Sequence, residues 1–180
     1  MAPRPAPLST LRWLVPILIA WALFMGLGPH SELPDINPPL AFFDVSWRGY
    51  DGPDALKIIE TLGEHGRQVY LLWHFPFDMV FPVLYGGTMF VLLRWLAQAN
   101  GIGASPERLI TALPLVVIVS DWAENILVIS MILPVPPQVA VAPLASVFTQ
   151  AKILAIALSL LAAIVLGLRL MLRGQAAAEG

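Results

Sequence analysis

Residues 108–133 read RLITALPLVVIVSDWAENILVISMIL. The run is long enough to cross a bilayer, which takes about 20 mostly apolar residues. It also contains Asp121, Glu124 and Asn125, and an ionised side chain at a helix centre costs roughly 2.5–3.5 kcal/mol on insertion. The apolar residues of the run recover only about 6 kcal/mol. Alone, this helix would insert marginally, so its polar face needs partners in other helices.

The composition of the whole chain fits the same environment. Of 180 residues, 58% are apolar and 12% are charged, whereas soluble domains are about 25% charged. The mean hydropathy is +0.77. The net charge of −2 argues against a polybasic nucleic-acid-binding protein, and the absence of cysteine excludes disulfides and thiolate sites. We therefore expect an integral membrane protein whose first partner is the lipid bilayer.

Three further apolar stretches lie at about 11–28, 70–95 and 144–171. With the run at 108–133 they predict an all-α, four-helix transmembrane bundle, a single integral membrane domain over residues 1–180. The first stretch also has features of a signal peptide that would be cut after residue 28, but its two tryptophans and internal proline favour a retained anchor.

Basic residues predict the orientation of the bundle, because lysine and arginine concentrate in cytoplasmic loops. The segment at about 29–69 is net acidic and is expected outside. Both termini are then cytoplasmic, as in a multi-pass protein of a bacterial inner membrane. The basic residues that agree on one side are Arg4, Arg12, Arg94, Arg108, Arg169 and Arg173.

One short amphipathic helix is predicted within the outer segment. Asp51 can cap it, Pro53 suits its first turn, Asp54 complements the helix dipole, and Gly63 can end it. We expect this helix to lie on the outer membrane surface or across the mouth of the bundle. A lid that binds a partner is the alternative.

Depth along the helices brings several polar residues to one level. At 1.5 Å per residue, Asp78, Glu124 and Lys152 each lie about 12–13 Å below the outer end of their own helix. Asp121 lies one turn deeper, and Asn125 shares its face. We call these five residues the polar layer: Asp78, Asp121, Glu124, Asn125 and Lys152.

A polar stripe along the second stretch leads toward this layer. Its members are separated by seven, four and seven residues, which places them within roughly 20° of one direction on a helix. Pro76 and Pro82 can kink the helix beside them. The stripe consists of Arg67, His74, Asp78 and Tyr85, with Tyr70 next to it, and we expect the site to open toward the outer face.

The charges of the polar layer do not balance. Three carboxylates against one ammonium group give a net charge of −2 if all are ionised. The excess can be neutralised by protons, by Arg67 and a protonated His74, by a cationic or lipid-like ligand, or by a metal ion. The nitrogen and oxygen ligands available to a metal are His74, Asp78, Asp121 and Glu124.

Motifs along the chain resemble a recurrent group of small bacterial four-span membrane proteins. The resemblance covers roughly residues 40–170, beginning with Phe43-Asp44 and Gly49-Tyr50. It implies a four-helix membrane bundle and the importance of the polar residues, and it implies no particular reaction. The motifs are Gly66-Arg67-x-x-Tyr70, Asp78-x-x-Phe81-Pro82-x-x-Tyr85, Asp121-x-x-Glu124-Asn125 and Phe148-Thr149-x-x-Lys152.

Three functions remain open from the residues. The polar layer can be a structural network that fixes helix register. It can belong to an enzyme acting on a lipid or isoprenoid, with Asp121 or Glu124 as a proton donor steadied by Lys152. It can also serve proton-coupled transport, which in a chain without inverted repeats would require a homo-oligomer. Haem is disfavoured because two inward histidines at a suitable depth are missing.

Overall fold

The computed structural model describes residues 12–13, 15–17, 19–20, 23, 27, 43 and 46–178, with side chains as far as residue 173. From residue 46 onward every regular element is a helix. The predicted span at 11–28 is described only at the helical positions given above, and most of the segment at 29–45 lies outside the described residues, so the span and its possible cleavage stay predictions. The helices, in chain order, are α1 (Gly52–Val69), a π-helical turn (Tyr70–His74), α2 (Phe75–Asp78), α3 (Phe81–Ala99), α4 (Ala104–Ile132) and α5 (Ala142–Ala178).

Three helical runs are long and apolar enough to cross a membrane: Gly52–Ala99, Ala104–Ile132 and Ala142–Arg173. They contain the predicted spans at 70–95, 108–133 and 144–171, so the all-helical class and three of the four predicted spans agree with the structure. These runs fit a multi-pass membrane protein.

The spans bury polar residues and expose apolar ones. On α5, Leu154 is 60% exposed and Ile164 is 59% exposed, while Thr149, Lys152 and Ser159 are buried. A water-soluble bundle has the opposite arrangement. A bilayer surrounds the exposed leucine and isoleucine side chains with apolar lipid, and it requires that the polar groups lie in the interior of the protein.

Helix α1 begins as the sequence predicts and lies across one end of the spans. The Asp51 side chain accepts from the Asp54 backbone, and the Asp54 side chain accepts from the Asp51 backbone, which completes a capping box. Gly63 (φ 62°) breaks the helix, but a second segment follows it directly to Val69. The buried face packs in an apolar cluster with residues of α4 and α5, including Ala55, Ile58, Ile59, Leu62, Val128, Met131, Ile132, Ala142 and Ala145.

Two prolines disturb the next span, as the sequence predicts. The Phe75 amide donates to Tyr70 O, five residues back, so the turn before Pro76 is a π-turn. Pro82 has no N–H, and the Val83 and Leu84 amides both donate to Val80 O. Neither amide therefore serves Met79 O, which accepts from the Trp122 indole Nε1 at 2.8 Å instead. The break between α2 and α3 is thus tied to α4.

Removing this indole donor should destabilise the protein. Trp122→Phe keeps an aromatic ring but leaves the Met79 carbonyl without the donor at 2.8 Å, so we expect a loss of about 1 kcal/mol in the free energy of unfolding. Unfolding by SDS in mixed micelles measures it. Trp73→Phe, at a ring that is 52% exposed, is the matched control, and equal losses in both variants would contradict this role of Trp122.

The other end of the spans is closed by a second apolar cluster that includes Leu96, Ala97 and Leu166. Asn100, in the turn after α3, donates through Nδ2 to Leu96 O at 2.9 Å and to Leu166 O at 3.0 Å. Arg173 donates to Asn100 O at 3.0 Å. The C-terminal part of α5 therefore lies beside the turn that joins α3 to α4.

Candidate functional site: a buried lysine shared by two carboxylates

Lys152 is the centre of the polar layer. Its Nζ lies 2.6 Å from Glu124 Oε2 and 3.1 Å from Asp121 Oδ1. Lys152 is 5% exposed and Glu124 is 0% exposed. Asp121 and Glu124 are three residues apart on α4, which places them on one helix face, and this face meets α5. Glu124 and Lys152, predicted at one depth, and Asp121, predicted one turn deeper, are therefore in direct contact.

Hydroxyl groups extend this centre in two directions. The Thr149 hydroxyl, one turn before Lys152 on α5, donates to Glu124 Oε1 at 2.6 Å, and the Tyr50 hydroxyl lies 3.4 Å from Thr149 Oγ1. On the other side, the Tyr85 hydroxyl donates to Asp121 Oδ2 at 3.1 Å. Both carboxylates thus accept a hydroxyl hydrogen bond as well as the ammonium contact.

Asp78 occupies the neighbouring part of the layer. Its Oδ2 accepts from Asn125 Nδ2 at 2.9 Å, and His74 Nε2 lies 3.9 Å from the same oxygen. That separation is too long for a direct hydrogen bond but allows an ion pair if His74 is protonated. The Tyr70 and His74 rings have centroids 4.4 Å apart. Because Asn125 follows Glu124 in α4, one helix links Asp78 to the lysine centre.

Arg67 is placed apart from these residues. Its guanidinium donates to Ile132 O and Pro134 O, where α4 ends. It satisfies carbonyl groups that a helix terminus leaves without intrahelical partners. Arg67 also lines a surface groove of about 520 Å³ with Glu60 and Glu64. The contacts described for Arg67 therefore cap a helix and do not neutralise the polar layer.

Tyr50 is a functional candidate that the sequence analysis named only within the resemblance and not among the site residues. It is buried, and its amide donates to the Ser146 hydroxyl at 2.9 Å. Ser146 and Thr149 are three residues apart on α5, so both hydroxyls face the same side. The sequence shows this pair of hydroxyl residues, which precede Lys152 on α5 and indicate a polar helix face. It does not indicate that Tyr50 is their partner.

The donor set does not form a metal site. Within the described part of the chain, no three histidine, aspartate or glutamate side chains are grouped so that they could hold a metal ion. The predicted ligands divide between the two parts of the layer: Asp121 and Glu124 contact Lys152, and His74 lies beside Asp78. An ammonium group thus occupies the position next to the two carboxylates that a cation would take.

The five residues of the polar layer are buried, each with at most 9% of its surface exposed. The cavity that adjoins Tyr85 and Ser159 has a volume of about 20 Å³, which is room for about one water molecule.

Comparison of the chain with protein-family models, with curated proteins and with solved structures gave no match. Inference about function therefore starts from the chemistry of the layer itself.

Proposed function

We propose that this chain is a multi-pass integral membrane protein whose polar layer binds a proton, and that the protein acts in a proton-coupled membrane process. The observation that carries the proposal is the shared lysine: Lys152 Nζ contacts Glu124 at 2.6 Å and Asp121 at 3.1 Å, with Asp78 in the same layer. One ammonium group cannot compensate three carboxylates, so a further positive charge is required.

A proton is the neutralising cation that fits this geometry best. An uncompensated carboxylate in an apolar interior is costly, and ionisable groups inside membrane spans commonly belong to proton-binding sites. His74 beside Asp78 can carry one additional positive charge. Among the described contacts two positive charges then face three carboxylates, and we propose that one more proton is shared among the carboxyl groups that are in contact with donors.

Hydroxyl groups offer a path for that proton. Thr149 lies 2.6 Å from Glu124 and Tyr85 lies 3.1 Å from Asp121, while Tyr50 lies 3.4 Å from the Thr149 hydroxyl. A hydroxyl both donates and accepts. At the end of this path, Tyr50 packs against α1 in the apolar cluster that also contains Phe43 and Ile59. We propose that this end faces the outside, with four spans and cytoplasmic termini, because the basic residues favour that orientation.

A lipid-directed enzyme receives less support from the same geometry. A substrate must reach the reacting groups, yet Asp121, Glu124 and Lys152 are 0–5% exposed, and the cavity beside the neighbouring Tyr85 is about 20 Å³. Ligand pockets usually measure roughly 300–1,000 Å³. Lipid chemistry at Asp121 or Glu124 would therefore require the layer to separate first, whereas proton binding requires only that a hydrogen bond be rearranged.

Infrared spectroscopy of the reconstituted protein tests the proposal. Difference spectra between high and low pH should show the carbonyl band of a protonated carboxylic acid, shifted in heavy water. Asp78→Asn, Asp121→Asn and Glu124→Gln should each reduce or shift this band, because the three carboxyls lie in one layer with donors at 2.6–3.1 Å. At least one of them should abolish it.

Glu60→Gln is the matched control, since Glu60 is exposed on α1 and lies outside the polar layer. Its difference spectrum should keep the band of the buried acid. If no variant of the three layer carboxyls alters the spectrum, the layer holds no exchangeable proton and the proposal is wrong; the layer would then be a permanently charged structural network.

A further inference from the structure

A second feature lies at the opposite end of the spans from α1. Where α3 ends and α4 begins, the two helices enclose a groove of about 370 Å³, which we call the α3–α4 groove. This volume falls within the usual range of ligand pockets. Its lining comes from both helices: Phe90, Arg94, Gln98, Ala104, Glu107, Arg108 and Thr111.

The polar side chains of the α3–α4 groove carry a net positive charge. Glu107 accepts from Gln98 Nε2 at 3.0 Å and lies 3.6 Å from Arg94 Nε, so Arg94 offsets its charge while remaining 50% exposed. Arg108 is exposed, and no carboxylate among the described residues pairs with it. Two guanidinium groups against one carboxylate leave one positive charge for an anion.

The lining changes from charged to less polar along the helix axes. Phe90 precedes Arg94 by four residues of α3, and Thr111 follows Arg108 by three residues of α4, so they lie about 6 and 4.5 Å closer to the middle of the spans. Arg94 and Arg108 lie near the helix ends that meet at the turn 100–103. The groove thus has a cationic rim toward the helix ends and an aromatic residue one turn further from them.

We propose that the α3–α4 groove binds the headgroup of an anionic phospholipid, with the phosphate between Arg94 and Arg108 and an acyl chain against Phe90. Guanidinium groups bind phosphate through paired hydrogen bonds, and basic pockets between membrane helices suit anionic headgroups. A free anion would use the two arginines but would leave the aromatic part of the groove uncovered. This site is independent of the polar layer and of the proton-binding proposal.

Lipid titration of the full-length protein in a neutral detergent tests the site. Native mass spectrometry counts bound phosphatidylglycerol, and a thermal-unfolding series gives its apparent Kd. The combined variant Arg94→Gln/Arg108→Gln should raise that Kd about tenfold or more. Arg108→Gln alone should give part of the effect, and because no ion pair of Arg108 is described, this single variant tests the site even if the double variant folds poorly.

Arg169→Gln is the matched control, because Arg169 is exposed near the same end of α5 and does not line the groove. It should leave the Kd for phosphatidylglycerol unchanged. Phosphatidylcholine should bind more weakly than phosphatidylglycerol, and inorganic phosphate alone should protect less. Equal binding of the two lipids, equal protection by phosphate, or a loss in Arg169→Gln as large as in Arg108→Gln would overturn the proposal.

Discussion

Lys152→Met should lower the free energy of unfolding by about 3–5 kcal/mol, which is the usual cost of removing one partner from a buried ion pair. The lysine contacts two carboxylates, at 2.6 and 3.1 Å, and Glu124 is 0% exposed. Methionine has a similar length and fills the space, so the loss reports charge and not packing. Unfolding by SDS in mixed micelles at neutral pH provides the measurement.

Two further variants isolate the electrostatic part of this effect. Lys57→Met replaces the other lysine of the chain, which is an exposed residue of α1. It should lower the free energy of unfolding by less than about 0.5 kcal/mol. Combining Lys152→Met with Glu124→Gln removes a charge of each sign and should recover part of the loss. If the double variant is as unstable as the sum of the two single variants, Glu124 is not the coupled partner of Lys152.

The pH dependence of Lys152→Met joins this prediction to the proposed function. When the ammonium group is missing, a proton on one carboxyl removes one of the uncompensated negative charges. The loss relative to wild type should therefore shrink as the pH falls. A loss that stays constant over the acidic range would mean that the layer cannot accept the replacing proton.

The convergence of the polar layer was predictable because it depends on quantities that the sequence fixes locally. A straight helix rises 1.5 Å per residue, so the number of residues from the end of a span gives depth without any tertiary information. Glu124 and Lys152 were expected at one depth on this basis, with Asp121 one turn deeper, and all three are in contact. Asp78, expected at the same depth as Glu124, accepts from Asn125. The capping box at Asp51 is equally local, since its two hydrogen bonds join residues three apart.

The parts that were missed depend on departures from helical regularity. The prediction for Arg67 assumed a rotation of 100° per residue from 67 to 85. The π-turn at Tyr70–His74 contains about one more residue than an α-helical turn, so the residues before it point in a different direction from the one predicted. Arg67 consequently reaches the end of α4. The contact of Trp122 has a similar origin, because the break at Pro82 leaves Met79 O for its indole.

Tyr50 was missed for a different reason. It lies in a segment without regular secondary structure just before α1, where periodicity carries no information about direction. Its approach to Thr149 joins residues 99 positions apart in the chain. Contacts of this kind depend on how α1 packs across α4 and α5, and this packing follows from burial of the apolar face of α1 in a cluster drawn from several helices.

Gly86→Ala should destabilise the protein by about 1–3 kcal/mol, the usual cost of overpacking a close contact. A Cβ at this position would lie 2.6 Å from Ile118 Cγ1 and 3.2 Å from the Pro114 carbonyl oxygen. The isoleucine atom is close to its backbone, and the carbonyl belongs to the backbone of α4, so neither can move far. The two helices must separate, which also weakens the adjacent contact from Tyr85 to Asp121.

Gly87→Ala provides the control for this prediction, because a Cβ at Gly87 meets nothing within 4 Å. Alanine favours a helix over glycine by about 1 kcal/mol, so Gly87→Ala should be neutral or stabilising. The same propensity gain applies to Gly86→Ala, and the difference between the two variants therefore measures the clash alone. If both alanines stabilise the protein equally, α3 and α4 do not approach each other at Gly86, and the contact of Tyr85 with Asp121 would need another explanation.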